Sequence, residues 1–151
     1  MPRDIPVGNG RLLVTFDRQY QIRDIYYPHV GQENHAGAGP CRFGIHTDVP
    51  GQNKNQLFWM QDDGWTIHQR YLRDTLTTSV SLDRSDAKIS LYCNDVVDFH
   101  RPIYIRKVKI KNLADHERTV SLVHHQDFNM FGTKIGDTAY YDPELRSIVH
   151  Y

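Results

Sequence analysis

Thr75-Leu76-Thr77-Thr78-Ser79-Val80-Ser81-Leu82 is the stretch that decides the fold. Leu76, Thr78, Val80 and Leu82 alternate with Thr75, Thr77, Ser79 and Ser81. That is the period-two pattern of a strand with one apolar face and one hydroxyl face. Strand signals continue on both sides of it. Upstream, Trp65 to Leu72 follows an Asp62-Asp63-Gly64 turn, and Cys41 to Thr47 and Gln56 to Met60 flank a Pro50-Gly51-Gln52-Asn53 turn. Arg11 to Phe16 and Gln19 to Tyr26 flank the polar pair Asp17-Arg18, which reads as a hairpin turn. Downstream come Lys88 to Asn94, Pro102 to Lys111 and Arg118 to Gln126, the last two separated by the charged turn Asn112-Leu113-Ala114-Asp115-His116-Glu117. Turn signals recur about every ten residues, the spacing of an antiparallel sandwich or barrel. No stretch shows a sustained helical stripe with caps. The whole of 1–151 therefore reads as one all-β domain.

One loop stands apart by its chemistry. Ile25-Tyr26-Tyr27 ends at Pro28, and His29, Gln32, Glu33, Asn34 and His35 follow within seven residues. Gly31 and Gly37 allow tight turns there. A plain connector does not need two imidazoles, a carboxylate and two amides, and loops are where binding groups concentrate. His29, Gln32, Glu33, Asn34 and His35 are the candidate site residues, for contact with a substrate or with another domain.

The loop also carries a resemblance. Read in order, Gly8-Asn9-Gly10, Tyr26 through His35, Arg42-Phe43-Gly44, Asp74-Thr75-Leu76, Asp95-Val96-Val97, Gly136-Asp137-Thr138-Ala139 and His150-Tyr151 span nearly the whole chain. This series resembles the amino-terminal domain of bacterial and archaeal glycoside hydrolase family 15 enzymes, the glucoamylase, glucodextranase and trehalase-like proteins. The resemblance implies an antiparallel two-sheet β-sandwich of the galactose-mutarotase-like supersandwich type. It further implies a following (α/α) helical barrel that carries the catalytic glutamates and hydrolyses α-glucosidic bonds with inversion. On that reading this domain is non-catalytic, its partner is its own carboxyl-terminal barrel, and an α-glucan or trehalose is the substrate of the parent enzyme. The family's domain runs well past Tyr151. Arg146-Ser147-Ile148-Val149-His150-Tyr151 reads as a strand in mid-course, so a truncated domain without its barrel is expected.

The residues themselves offer no catalytic pair. Glycoside hydrolysis uses two carboxyl groups, roughly 6.5–9.5 Å apart in inverting enzymes. The three glutamates are Glu33, Glu117 and Glu144. Glu117 and Glu144 fall in turns, which leaves Glu33 without a partner, and no catalytic residue is assigned. His29, Glu33 and His35 offer metal-ligand types, but Pro28 and Gly31 rule out the helix that would align them and the spacing matches no zinc pattern, so no metal or other cofactor is expected. His124 and His125 are adjacent in a predicted strand and must face opposite ways, one packing inward with a satisfied ring and the other exposed. Cys41 and Cys93 read as buried, apolar-like residues. Trp59 and Trp65, beside Gln61, Asp62 and Asp63, are candidate sugar-stacking platforms, although a sandwich core uses aromatic rings too. They would serve a free-standing carbohydrate-binding module, the alternative reading of the domain.

Composition bounds the partners. Lys plus Arg and Asp plus Glu are 18 each, a balance that argues against a nucleic-acid or acidic-membrane partner. Two cysteines without a CxxC make no disulfide framework. Met1-Pro2-Arg3-Asp4-Ile5-Pro6 lacks a signal peptide's apolar run, and no segment reaches membrane-span length. A soluble, reducing, cytoplasmic setting is the expectation.

Overall fold

Alternation of inward and outward side chains organises the structure, a computed structural model that describes residues 5–36, 39–52, 54–132 and 136–151. Met1 to Asp4 and the predicted turn residues Gly37 and Asn53 lie outside the described residues. In β7 (Thr78–Arg84), Thr78, Val80 and Leu82 are buried while Ser79 and Ser81 are half-buried. The strand begins three residues later than its pattern suggests. Thr75 and Leu76 belong to a turn closed by Leu72 N–H to Thr77 O and Thr75 N–H to Leu72 O, and Leu76 is 68% exposed. A leucine in phase with a strand was thus recruited into the turn that precedes it.

Four antiparallel sheets form among the described residues. β1 (Ile5–Gly8), β2 (Leu13–Phe16) and β3 (Ile22–Tyr26) form a three-stranded meander. β4 (Arg42–Asp48) lies between β5 (Asn55–Trp59) and β10 (Ser121–His125), which returns from far along the chain. β6 (Trp65–Tyr71), β7, β8 (Ile89–Val97) and β9 (Tyr104–Asn112) form a four-stranded sheet in sequence order. β11 (Ala139–Asp142) and β12 (Ser147–His150) make a hairpin, whose ladder is continued by paired bonds between Thr138 and Tyr151. There is no α-helix among the described residues, and none long and apolar enough to cross a membrane. The sheets pack around one core to which the first contributes Val7, Val14 and Phe16, the second Phe43, Ile45 and Phe58, and the third Val80, Leu82, Ile89 and Leu91. The antiparallel all-β architecture expected from the turn spacing is the one observed.

One strand escaped the sequence reading: Ile5–Gly8 runs into the Asn9–Gly10 turn. Asn9 closes that turn by accepting the Arg11 and Leu12 amides, and its Nδ2 donates to Asp98 O and Arg101 O, tying it to the β8–β9 loop. Ala139–Asp142 pairs antiparallel with the terminal strand Ser147–His150. Most other turns match: Asp62 accepts the Trp59 amide at 2.8 Å, and Asp142 accepts those of Glu144 and Leu145. Cys41 and Cys93 are both buried and unpaired.

Candidate functional site

The polar loop is closed at its base by a bridge between Tyr26 and Asn34 and by His35 N–H to Ile25 O at 2.7 Å. Its five candidate residues divide into two groups. Asn34 and His35 face the protein. Asn34 Oδ1 accepts the Ile25 and Ala36 amides, and its Nδ2 donates to Asp24 Oδ1 at 2.8 Å. His35 is 4% exposed; its Nε2 lies 2.7 Å from Tyr27 O, and its Nδ1 accepts the Phe131 amide at 3.3 Å. With one ring nitrogen donating and the other accepting, both are occupied by backbone, and the ring has no lone pair left for a metal or a proton transfer. His35 and Asn34 hold the loop's shape.

His29, Gln32 and Glu33 face outward. With Pro28 and Phe131 they line a shallow hollow of about 240 Å³. Gly31, at φ +85° with open space where a side chain would start, turns the loop so that these three share a rim. Phe131 forms a wall from the opposite side. It is 62% exposed, sits in the left-handed region at φ 54°, and meets His35 edge-on with ring centroids 5.5 Å apart. Asp137 Oδ2 accepts the Met130 amide at 3.3 Å and so braces the turn that presents Phe131. Beside the rim lies a larger, mainly apolar hollow of about 350 Å³, whose lining includes Tyr27, His35, Phe128, Met130 and His150. Tyr27, His29, Gln32, Glu33, His35 and His150 therefore line these two neighbouring hollows with Phe128, Met130 and Phe131.

Trp59 and Trp65 line neither hollow. Trp59 is half-buried on the outer side of the β10-β4-β5 sheet, with the Arg42 guanidinium 4.4 Å from its ring centroid and His125 against its edge. Trp65 is half-buried, packs on the core and donates its Nε1–H to Trp59 O at 2.9 Å. His124 and His125 do face opposite ways, opposite Phe43 and Arg42 respectively. Both are exposed, against the expectation that one packs inward with a satisfied ring: His125 bonds Pro40 O at 2.8 Å, and His124, on the core-side face, stacks on Phe43. Burial and then nearby Arg106 hold the His124 imidazole below its usual range.

Two acids missed in the sequence reading organise the interior. Asp24 accepts from Thr15 Oγ1 at 2.6 Å, Asn34 Nδ2 at 2.8 Å and Arg23 Nε at 2.7 Å, which anchors the loop to β2 and β3. Asp95, fully buried, accepts from Thr78 Oγ1 and Arg106 Nε, each at 2.7 Å, and from the hydroxyls of Tyr20 and Tyr104. Burial pushes both phenols far above their usual range, so they stay protonated and donate. The Arg106 guanidinium lies 4.6 Å from the Tyr20 centroid and 4.8 Å from that of Phe43. The available signal was phase: Asp24 falls in step with buried Ile22, and Asp95 with Leu91, Cys93 and Val97.

None of the hollows in the five regions described on the surface is lined by more than one carboxyl group, and Glu33 is the one at the loop. Among the described residues no three His, Cys, Asp or Glu side chains are grouped to hold a metal.

No family model matches the chain, and no solved structure does. The chain is similar to a protein of Methanocaldococcus jannaschii described as an uncharacterized glycosyl hydrolase, with 28% identity over 132 residues. The match covers 87% of this chain and 20% of that protein, so the chain spans about a fifth of the relative's length.

Proposed function

We propose that this chain is the non-catalytic β-sandwich portion of a larger inverting α-glucoside hydrolase of the family 15 type, glucoamylase- or trehalase-like. The observation that carries the reading is the alignment of 87% of the chain with one fifth of a protein named a glycosyl hydrolase. A segment of that proportion fits an accessory domain beside a larger catalytic one. In this reading the two carboxyl groups that glycoside hydrolysis requires belong to a helical barrel, the chain packs against that barrel, and the rim of His29, Gln32 and Glu33 faces it. Gln32 offers both donor and acceptor, and Glu33 accepts through two oxygens. Those groups suit either the hydroxyls of an α-glucan or trehalose at the entrance, or the backbone of the barrel's loops.

The division within the loop supplies the test. In the parent enzyme, Glu33→Ala and Gln32→Ala should each lower kcat/KM on maltoheptaose or trehalose by about tenfold, the size of one lost hydrogen bond of about 1.4 kcal/mol, with Tm unchanged. His35→Ala should lower Tm instead, because it removes the bonds that pin Tyr27 and Phe131. Rim variants with wild-type kinetics would overturn the assignment of the rim to the catalytic entrance. Glucose release by the 151-residue chain alone would overturn the non-catalytic role.

A further inference from the structure

The outer face of the four-stranded sheet carries a second surface feature, on a different sheet from the polar loop. A trough of about 840 Å³ runs along it, floored by Ser79 and Ser81 of β7. Register lines the trough with His68, Arg70, Tyr92 and Asn94 and sets Lys107 and Lys109 of β9 beside it. His68, Ser81, Tyr92 and Lys109 form one continuous cross-strand row through β6, β7, β8 and β9. In the next row Arg70 lies opposite Ser79, and Asn94 opposite Lys107. With strands about 4.8 Å apart, each row spans about 14 Å, the dimension of an oligomeric ligand rather than a small ion.

The chemistry of this face departs from that of the whole chain. The protein is neutral overall, yet the long charged side chains here are Arg70, Lys107, Lys109 and Lys111, and the acid is Asp83, whose carboxylate is engaged by Ser90 Oγ. None of these four cations makes an ion pair with another described residue. Lysine on an edge strand guards against edge-to-edge pairing, and β9 is such an edge in the described sheet. Guarding explains charge but requires no particular sign, and it explains neither the hydroxyl floor nor Tyr92, which is 44% exposed in the middle of the sheet.

We infer that this trough binds a chain of acidic polysaccharide. Tyr92 offers a ring face to the C–H side of a sugar, Ser79 and Ser81 offer hydroxyl donors and acceptors, and Arg70, Lys107 and Lys109 meet carboxylate or sulfate groups. Single-stranded nucleic acid fits less well, because its binders stack successive bases on several aromatic rings and here Tyr92 is the one phenyl or indole-type ring, with only the imidazole of His68 beside it. The inference does not rest on the hydrolase reading: the trough lies on the β6–β9 sheet, so the variants that test it leave the loop intact.

The test is titration of the 151-residue chain with polygalacturonate, with neutral dextran and oligo(dT) as comparison ligands, read by calorimetry at low and moderate salt. Polygalacturonate should bind and weaken with salt, dextran should not bind, and oligo(dT) should bind at least tenfold more weakly. Lys107→Glu combined with Lys109→Glu should reduce polygalacturonate affinity at least tenfold. Tyr92→Ala should reduce it by a similar factor while leaving the salt slope unchanged, which separates ring stacking from charge. These side chains are exposed, and an unchanged circular dichroism spectrum will show that the variants fold. Absence of polygalacturonate binding, equal binding of dextran, tighter binding of oligo(dT), or full affinity in the charge-reversed variant would each overturn the inference.

Discussion

Truncating Asp95 to alanine should cost about 3–5 kcal/mol, the range for removing one partner of a buried ion pair. Asp95 is fully buried, and the Arg106 side chain is 9% exposed. Without the carboxylate, Arg106 becomes an uncompensated charge in the core, and the hydroxyls of Tyr20, Thr78 and Tyr104 lose their shared acceptor. The rings around Arg106, whose cation–π contacts contribute about 0.5–2 kcal/mol each, were present before the substitution and so do not offset the loss. A domain of this size has about 5–15 kcal/mol of stability, so a large share of it would go. At about 2–4 °C per kcal/mol, the thermal midpoint should fall by about 6–20 °C. Urea unfolding followed by tryptophan fluorescence, with calorimetry in parallel, measures both quantities. The sharper test is a cycle with Arg106→Met. Removing both charges leaves no orphaned ion, so the double variant should be more stable than the sum of the single losses implies, by about 0.5–3 kcal/mol. An Asp95→Ala cost below about 1 kcal/mol, or strict additivity with Arg106→Met, would refute the view that the pair is buried and mutually dependent.

Three further outcomes follow from the packing and the charges. Gly44→Ala should cost about 1–3 kcal/mol by overpacking, because a Cβ there would meet Phe58 O at 2.7 Å and Trp59 Cε3 at 2.9 Å; chemical denaturation would show it. Burial pushes the Cys93 thiol up to about 12 and raises that of Cys41, so Ellman's reagent should titrate neither in the folded protein and both after denaturation. His116 is held above its ordinary value of 6.5 by hydrogen bonds to Asp48 and Asp115. Its contribution to stability is therefore fully present below pH 6.5 and is lost as pH rises through the higher folded value. NMR titration should find that raised value, and His116→Asn should abolish the corresponding pH dependence of Tm.

Much of the fold was legible because strand formation follows a local rule. Side chains alternate at every second residue, so Val80 and Leu82 against Ser79 and Ser81 mark an inner and an outer face before any partner is known. Turns are local as well, and Asp62-Asp63-Gly64 and the charged turn near Asp115 are written in a few adjacent residues. The sequence by itself also singled out the loop from His29 to His35, because its density of hydrogen-bonding groups is a compositional fact.

What tertiary structure alone decided is where each group's bonds go. His29 and His35 are the same residue type in the same loop, yet one lines an open rim and the other is buried, with both ring nitrogens taken by Tyr27 and Phe131. The second of those partners lies 96 positions away, beyond the reach of any local pattern. Thr78, Asp95 and Arg106 meet because β7, β8 and β9 pair in a particular register, and Tyr20 joins them from the turn between β2 and β3. The row of His68, Ser81, Tyr92 and Lys109 exists for the same reason. A one-residue slip in any ladder would move those side chains to the other face. Periodicity determines which side of a strand a residue takes; register and sheet packing determine its neighbours, and those neighbours decide whether a histidine or a carboxylate is exposed for binding or committed to the fold.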